Sequence, residues 1–323
     1  MKFYLAPMEG ITTYTYRNTV HKYFDHIDKY YTPFIVATQN LRLKNNEKRD
    51  ICFDHNQGLY VVPQILANNA DALIWAIAEC QRLGYHEVNL NLGCPSPTVV
   101  TKRRGSGMLG DLNALDEMLD RTFKMMPQGM SLSIKTRLGI EDTSHTRELM
   151  HLYNKYPLSE LIIHPRCTKD YYKKPVHLDD FALALQESNH EIVYNGNILD
   201  VYSYKQFHAQ FPQVKAVMMG RGLIADPDLV HQIQTGEVID KEVLLSFLME
   251  LFDLYKVRID GVRNTLMKMK ELWFYLQSLF IFEKKDLKKI LKARTEEDYK
   301  AAVTYFITVS EIDPREKRDI HFR

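Results

Sequence analysis

The chain has 323 residues, of which 45% are hydrophobic and 26% are charged, proportions typical of soluble globular proteins. Only 14 glycines and 12 prolines are present, which excludes a collagen-like or low-complexity architecture. The 42 lysines and arginines nearly balance the 41 aspartates and glutamates, so the net charge is +1 and a nucleic-acid partner would have to bind a local basic patch.

Four cysteines, Cys52, Cys80, Cys94 and Cys167, include no C-x-x-C pair and are too few for a disulfide framework in a chain of this length. We therefore expect reduced thiols in an intracellular protein. The apolar run before Pro7 is too short for a signal peptide. No segment offers the ~18 uninterrupted apolar residues of a membrane span, so we expect no membrane contact and a cytoplasmic location.

Eight strand-like runs recur along the chain with helix-like intervals between them. Several runs are apolar or β-branched throughout, which is typical of parallel strands covered on both faces. The predicted strands are residues 3–8, 29–36, 59–66, 87–93, 131–138, 160–165, 191–196 and 216–222.

The intervals carry helix signals, for example residues 67–84, with Asn68 or Asn69 as the N-cap and Gly84 as the stop. Similar patterns predict helices over residues 112–125, 143–156, 199–211 and 226–235. Eight β-then-α units predict an α/β fold, a (β/α)8 TIM barrel. A doubly wound sheet is the alternative, but it would place its phosphate turn after the first strand, whereas here unusual residues end nearly every strand.

Past residue 240 the alternation stops, and residues 243–280 are rich in leucine, methionine and aromatic side chains at helical spacing. The sequence therefore predicts a TIM barrel over residues 1–240 and a smaller all-α domain over residues 241–323. Lysines 284, 285, 288 and 289 form a basic helix face that is either solvated or an RNA contact.

The most specific motif is a Gly-Cys-Pro turn that places the Cys94 thiol after the fourth strand, at the end of the barrel where active sites lie. The alternative, a small buried hydrophobe, suits Cys52 and Cys80 better. Lys135 and His164 end the next two strands among apolar residues, where an unpaired ion would cost several kcal/mol in an ordinary core. A cavity for an anionic or polar ligand explains the positions of Lys135 and His164 better than an ordinary core does.

Glycines after the seventh and eighth strands free backbone N–H groups to approach an anion. A helix beginning near residues 225–227 would be the short extra helix at which many barrels bind a phosphoryl group. These two turns therefore predict a phosphate site.

In order and spacing, these motifs resemble those of the tRNA-dihydrouridine synthases. The match runs from residue 3 to about residue 235, and the helical C-terminal region is similar in size and type to that family's RNA-binding domain. It is carried by Ala-Pro-Met-Glu-Gly-Ile-Thr from Ala6, Asn-Leu-Gly-Cys-Pro from Asn91, Lys-Thr-Arg-Leu-Gly from Lys135, His-Pro-Arg-Cys-Thr-Lys from His164, Asn-Gly-Asn-Ile from Asn195 and Met-Met-Gly-Arg-Gly from Met218. The chain departs from the family's common residues at Thr13, at Pro165 and Cys167, and at Asn197.

The resemblance implies an FMN-dependent enzyme that reduces uridine in tRNA to 5,6-dihydrouridine, with NADPH recharging the flavin and neither a metal nor an obligatory protein partner. Hydride would pass from flavin N5 to uracil C6, and Cys94 would give the proton to C5. A free thiol has a pKa of about 8.5 and is mostly protonated at neutral pH, which suits that role. By motif match the cofactor-binding residues would be Pro7, Met8, Glu9, Gln64, Lys135, His164, Asn195, Gly196, Asn197, Gly220 and Arg221.

The resemblance also implies that Asn91 touches the uracil. The loop after strand 4 carries the cations Lys102, Arg103 and Arg104, and the loop after strand 6 carries cations together with tyrosines. These residue types suit phosphates and an unstacked base, although a solvated loop is the alternative. We predict substrate contacts for Arg166, Lys169 and Tyr171 in the loop after strand 6, and for Arg137 at the end of strand 5. Two other functions stay open: an FMN barrel reductase of a free pyrimidine or enone, and an RNA-binding barrel without catalysis.

Overall fold

The structure, a computed structural model, describes residues 1–259, 261–318 and 320. Its main sheet contains ten strand segments, because the predicted second and third strands are each divided in two. The segments are β1 (Lys2–Leu5), β2 (Lys29–Tyr31), β3 (Ile35–Val36), β4 (Val61–Val62), β5 (Gln64–Leu66), β6 (Glu87–Leu92), β7 (Ser131–Thr136), β8 (Leu161–Ile163), β9 (Ile192–Tyr194) and β10 (Ala216–Met219).

The sheet closes on itself. β1 pairs with both β10 and β2, which joins the last β/α unit to the first, and every pairing within this sheet is parallel. β2 pairs with β4 and β3 with β5, so the two divided strands stay beside each other. Pro33 and Pro63 lie at the two interruptions, where the missing N–H removes a ladder bond. The predicted TIM barrel is confirmed.

Helices follow the strands and cover the outer face of the barrel. Asn69, the second of the two candidate caps, accepts the N–H of Ala72 at 2.9 Å. The helices are α1 (Tyr14–Tyr23), α2 (Asn45–Asp50), α3 (Ala70–Arg82), α4 (Pro97–Val100), α5 (Leu112–Met125), α6 (Thr146–Tyr153), α7 (Leu178–Glu187), α8 (Val201–Gln210), α9 (Arg221–Ala225) and α10 (Leu229–Thr235), with 3-10 turns at Phe53–His55, Gly105–Gly110 and Thr168–Asp170.

The short extra helix after the eighth strand is α9. It begins at Arg221 and ends before Asp226, so the prediction that it begins near residues 225–227 was wrong. Pro227 stands just beyond the end of this helix, where proline is common because it cannot continue one.

Two apolar clusters hold the barrel together. The smaller fills its interior and includes Tyr4, Tyr31, Ile162 and Met218. The larger lies between the strands and the outer helices and continues without a break into the C-terminal helices. Burial of this surface supplies most of the driving force for folding.

The C-terminal part is almost entirely helical, with one antiparallel ladder between two short strands. Its first helix begins at Lys241, where the sequence placed the domain boundary, and Phe247 packs edge-on against Tyr16 of α1 and against Phe24, the residue that follows α1. Within the described residues, no helix combines the length and the apolar character needed to cross a bilayer. The elements are α11 (Lys241–Arg258), α12 (Val262–Leu276), β11 (Phe280–Ile281), α13 (Lys284–Lys292), α14 (Glu296–Val309) and β12 (Glu311–Ile312), with a 3-10 turn at Gln277–Leu279.

Candidate active site

A small cavity of about 60 Å³ lies at the C-terminal ends of the barrel strands. Nine of the eleven residues predicted to bind the cofactor line it, and they come from five different strand ends. They are Pro7, Met8, Lys135, His164, Asn195, Gly196, Asn197, Gly220 and Arg221.

Two glycines shape the turns at this cavity: Gly196 packs against the ring of Tyr194, at the end of the strand that precedes it, and Gly222 brings the turn after the eighth strand against the loop after the seventh. A Cβ on Gly196 would lie 1.9 Å from the hydroxyl oxygen of Tyr194, and a Cβ on Gly222 would lie 2.4 Å from the carbonyl oxygen of Ile198. Contacts this short exclude any side chain, so both loops depend on glycine for their shape.

Lys135 is the central cation of the site. Its side chain comes from β7, and among the described residues its ammonium has neither a hydrogen-bond partner nor a carboxylate within ion-pair distance. Burial and the neighbouring Arg137 lower the pKa of Lys135 to about 7. A half-buried amine at a barrel-strand end without an anion is unusual in a finished protein core and is typical of a ligand site.

His164 ends the neighbouring strand and is neutral. The Nη1 group of Arg166 donates to the Nε2 atom of His164 at 2.8 Å, which places the ring proton on Nδ1. Burial and then the cations around it lower the pKa of His164 well below its ordinary value. The imidazole can therefore donate one hydrogen bond from Nδ1.

Asn197 joins two arginines at the edge of the cavity. Its Oδ1 atom accepts hydrogen bonds from Nη2 of Arg221 at 2.9 Å and from Nη1 of Arg166 at 3.2 Å. Among the described lining residues of this cavity there is no carboxylate. The electrostatics favour a bound anion.

The other predicted cofactor residue in the barrel interior, Gln64, belongs to a chain of side-chain amides. Asn91 donates from Nδ2 to the Gln64 Oε1 atom at 2.7 Å, and Gln64 donates from Nε2 to the Asn89 Oδ1 atom at 2.8 Å. The Oδ1 atom of Asn91 accepts the N–H groups of Gly93 at 3.0 Å and of Cys94 at 2.9 Å. This chain fixes the turn that carries the thiol.

Cys94 itself is only partly buried. Its carbonyl accepts the N–H of Ser106 at 3.1 Å, and Gly105, at a φ of +55°, approaches so closely that a Cβ there would lie 2.7 Å from that oxygen. Burial raises the pKa of the Cys94 thiol, and this effect is opposed in part by the nearby cations Arg137 and Lys135. The thiol therefore keeps its proton at neutral pH and can act as an acid.

The buried guanidinium groups of Arg137 and Arg166 hold loops together. Arg137 donates to the carbonyls of Gly93 at 2.9 Å, Cys167 at 2.8 Å and Tyr171 at 3.2 Å. Arg166 donates from Nε to the carbonyl of Lys174, in the same loop, at 2.8 Å. The structure thus gives both arginines backbone partners, and their predicted contact with substrate stays a prediction.

Glu9 and Lys169 lie apart from this cavity. Glu9 is exposed and lines a second cavity of about 340 Å³ between the barrel and the turn after α11, together with Asp50 and Arg258. Partial desolvation of its carboxylate in this cavity and the acidic neighbour Asp50 raise the pKa of Glu9. Lys169 is exposed and forms an ion pair with Glu141.

Tyr172 belongs to the tyrosine-containing loop after strand 6, but the predicted substrate contacts include its neighbour Tyr171 instead. The Tyr172 ring covers Arg221, with 4.4 Å between the guanidinium carbon and the ring centroid, and its centroid lies 5.7 Å from that of His164. The preceding Tyr171 has a φ of 49°, a strained value for a tyrosine, and Arg137 holds its carbonyl. Because of this turn it is Tyr172 that reaches the cavity, and no sequence signal separates two adjacent tyrosines.

The family model described as Dihydrouridine synthase (Dus) matches residues 4–309. The chain belongs to the dihydrouridine synthase family. The resemblance carried by the six motifs is confirmed over nearly the whole length of the chain.

Similar proteins include two called tRNA-dihydrouridine(16) synthase. The protein from Pseudomonas syringae pv. tomato is 28% identical over 247 residues, covering 74% of this chain and 77% of that relative. The protein from Shigella flexneri is 29% identical over 246 residues, covering 73% and 76%. A probable tRNA-dihydrouridine synthase of Helicobacter pylori is 26% identical over 280 residues, covering 84% and 82%.

Solved structures support the fold alone. Morphinone reductase superposes with a TM-score of 0.53 at 12% identity, covering 74% of this chain and 87% of that chain. A variant of NCR from Zymomonas mobilis gives a TM-score of 0.51 at 11% identity, covering 76% and 90%.

Proposed function

We propose that this member of the dihydrouridine synthase family uses FMN to reduce uridine in tRNA to 5,6-dihydrouridine, with NADPH as reductant. One observation carries the proposal: the half-buried ammonium of Lys135, which has no anionic partner among the described residues, lies in a cavity that nine predicted cofactor residues line. The names of the relatives support tRNA as the substrate. The cytoplasm, where tRNA is available, remains the expected location.

The donor set supports a phosphorylated flavin. Arg221 and Asn197, with the backbone of the glycine turns, would hold the phosphate, because this edge of the cavity is cationic and free of carboxylates among the described lining residues. Lys135 and His164 would donate to the polar edge of the flavin ring. An anion placed beside Lys135 would raise its pKa again and favour the ammonium form.

Tyr172 must move for such a ligand to bind. Sites for ligands of this size measure about 300–1,000 Å³, whereas the cavity beneath this ring holds about 60 Å³. The ring is 53% exposed and rests on Arg221. We therefore propose that Tyr172 swings away from Arg221 when the cofactor binds and then lies at the entrance for the RNA base.

When bound, FMN supplies the hydride for uracil C6. The chain's own residues do the rest: Asn91 orients both the turn and the uracil, and the Cys94 thiol donates a proton to C5. A thiol whose pKa burial has raised still gives up its proton readily to a carbon that carries the charge left by hydride addition. The chain of side-chain amides positions this acid, and burial keeps it protonated.

A structured RNA must present an unpaired base to the mouth of the barrel, because a stacked base cannot reach the thiol. Basic residues on the mouth loops and on α13 support this contact. Lys284, Lys285 and Lys288 are exposed, whereas Lys289 forms an ion pair with Asp286 at 3.0 Å. We propose that residues 241–323 form the RNA-binding domain and residues 1–240 the catalytic one.

Two measurements test the proposal. The purified protein should be yellow, or should become so when titrated with FMN; a protein that takes up no FMN would end the flavin hypothesis. Mass spectrometry of tRNA from cells lacking the gene should show one dihydrouridine missing, and position 16 is examined first because of the relatives' names. Reduction of free uridine without tRNA would favour the small-molecule alternative instead, and tRNA binding without flavin the non-catalytic one.

A further inference from the structure

The last described stretch of the chain returns to the barrel. Residues 313–318, which we call the C-terminal strap, leave β12 and lie across the start of α8. There the N–H of Tyr202 donates to the carbonyl of Glu316 at 3.0 Å, and Lys205 pairs with the Glu316 carboxylate at 2.5 Å. The strap therefore connects the helical C-terminal part with the barrel unit that carries the seventh strand.

The strap ends on a buried arginine. Arg318 donates from its backbone N–H to the Oδ2 atom of Asp200 at 2.9 Å, from Nη1 to Oδ2 of Asp226 at 2.6 Å and from Nη2 to Oε1 of Gln232 at 2.7 Å. Gln232 in turn donates to the same Asp226 oxygen at 2.6 Å. The side chains of Arg318 and Asp226 are only 3% and 0% exposed, so this ion pair is almost fully desolvated.

The partners of Arg318 stand directly behind the two turns proposed to hold the FMN phosphate. Asp200 caps α8, and residues 195–199 just before it line the cavity. Asp226 is the residue that follows the end of α9, and α9 begins with the cavity residue Arg221. One residue thus links the far ends of both cavity turns, because its backbone N–H holds Asp200 and its side chain holds Asp226, although it does not touch the cavity.

We propose that Arg318 is a positioning residue for the phosphate-binding turns, so that the C-terminal strap sets the protein's preference for a phosphorylated flavin. The inference rests on the proposed FMN function. If the ion pair is lost, the Asp226 carboxylate keeps a buried charge with fewer partners, and α9 is free to shift relative to the turn before α8. The donors that face the phosphate then lose their alignment, while the rest of the flavin site is unaffected.

The test compares FMN with riboflavin, which lacks the phosphate. Flavin fluorescence quenching on the flavin-free protein gives both dissociation constants for the parent, Arg318→Ala, Arg318→Lys and the control Lys317→Ala, whose exposed side chain is next to Arg318. In Arg318→Ala the ratio of the riboflavin constant to the FMN constant should fall at least about 10-fold, equivalent to about 1.4 kcal/mol. Arg318→Lys keeps the charge and should recover part of the ratio, and Lys317→Ala should match the parent.

The outcomes separate this inference from the proposed function. A parent protein that binds neither flavin, or binds both equally, refutes the FMN phosphate site itself. A parent that prefers FMN, with an unchanged ratio in folded Arg318→Ala, overturns the positioning role, and so does an equal weakening of both flavins. Should circular dichroism show that Arg318→Ala is unfolded, Arg318→Lys and Gln232→Ala decide the matter, and an unchanged ratio in both overturns the inference.

Discussion

Two lysines inside the same barrel have opposite surroundings. Lys29, at the start of β2, lies 2.9 Å from Glu160 and 3.2 Å from Glu87, with side-chain exposures of 12%, 11% and 8% for the three residues. Lys135, near the end of β7, has no such partner among the described residues. A buried charge that is fully paired belongs to the framework, whereas one left without an anion leaves room for a ligand.

Tyrosines complete the pairing at the base of the barrel. Tyr4 donates to one oxygen of Glu160 at 2.7 Å and Tyr31 to the other at 3.2 Å, while Tyr60 donates to Glu87 at 2.9 Å. Burial and the bond to Glu160 raise the pKa of Tyr4, so its hydroxyl remains a donor throughout the physiological range. The base of the barrel is thus a polar plug of mutually paired side chains, and the mouth is where chemistry can take place.

The largest expected effect belongs to the mouth. Cys94→Ala should lower the rate of uridine reduction in tRNA by about 10²- to 10⁴-fold, because a positioned general acid is removed. Reduction of bound flavin by NADPH should stay at the parental rate, since the thiol acts only on the substrate. Stopped-flow absorbance measures the two half-reactions separately. Cys52→Ala is the control. If Cys94→Ala reduced uridine in tRNA at the parental rate, a different residue would have to be the acid.

The sequence predicted the barrel because the strand runs and their spacing are local signals, and it singled out Lys135 and His164 because charged side chains interrupted apolar strands. It could not assign Arg137, since an arginine that binds backbone carbonyls of several loops looks the same in sequence as one that binds RNA. Arg318 and its partner Asp226 are far apart in the chain, so no local pattern connects them. Lys29 begins a strand, where a lysine is typical of a solvated edge, so its ion pairs with Glu87 and Glu160 could not be predicted from the sequence.

The second prediction concerns the base of the barrel. Lys29→Met leaves Glu87 and Glu160 buried beside each other without their cation, which should lower the free energy of unfolding by about 3–5 kcal/mol. Urea unfolding followed by circular dichroism measures this. Under conditions where the variant is folded, its flavin affinity should equal the parent's. A loss below about 1 kcal/mol would show that the plug does not depend on this ion pair.

The same substitution at the mouth should act in the opposite direction. In the flavin-free protein the pKa of Lys135 is about 7, against about 10.4 in an unfolded chain. Between these values the unfolded chain binds more protons, so the parent gains stability as the pH rises through this window and bears the whole penalty below about pH 7. Lys135→Met removes that penalty.

We therefore expect flavin-free Lys135→Met to be more stable than the parent by about 1–4 kcal/mol at pH 6.5, since an apolar side chain replaces a buried ion. The difference should shrink toward zero near pH 10, while FMN affinity falls at every pH tested. Urea unfolding across this range provides the measurement. A variant less stable than the parent at pH 6.5 would mean that Lys135 has a partner in solution.

The smallest effect compares one phenol from each end of the barrel. Tyr60→Phe removes a hydrogen bond to Glu87 but keeps the ring that Lys29 approaches, with 5.1 Å between Nζ and the centroid, so the loss should be about 1 kcal/mol. Tyr172→Phe keeps the ring over Arg221 and should leave the free energy of unfolding within about 0.5 kcal/mol of the parent's. Parallel urea titrations distinguish the two. Equal losses would contradict the comparison, because the hydroxyl at the mouth would then be as fully bound into the framework as the one at the base.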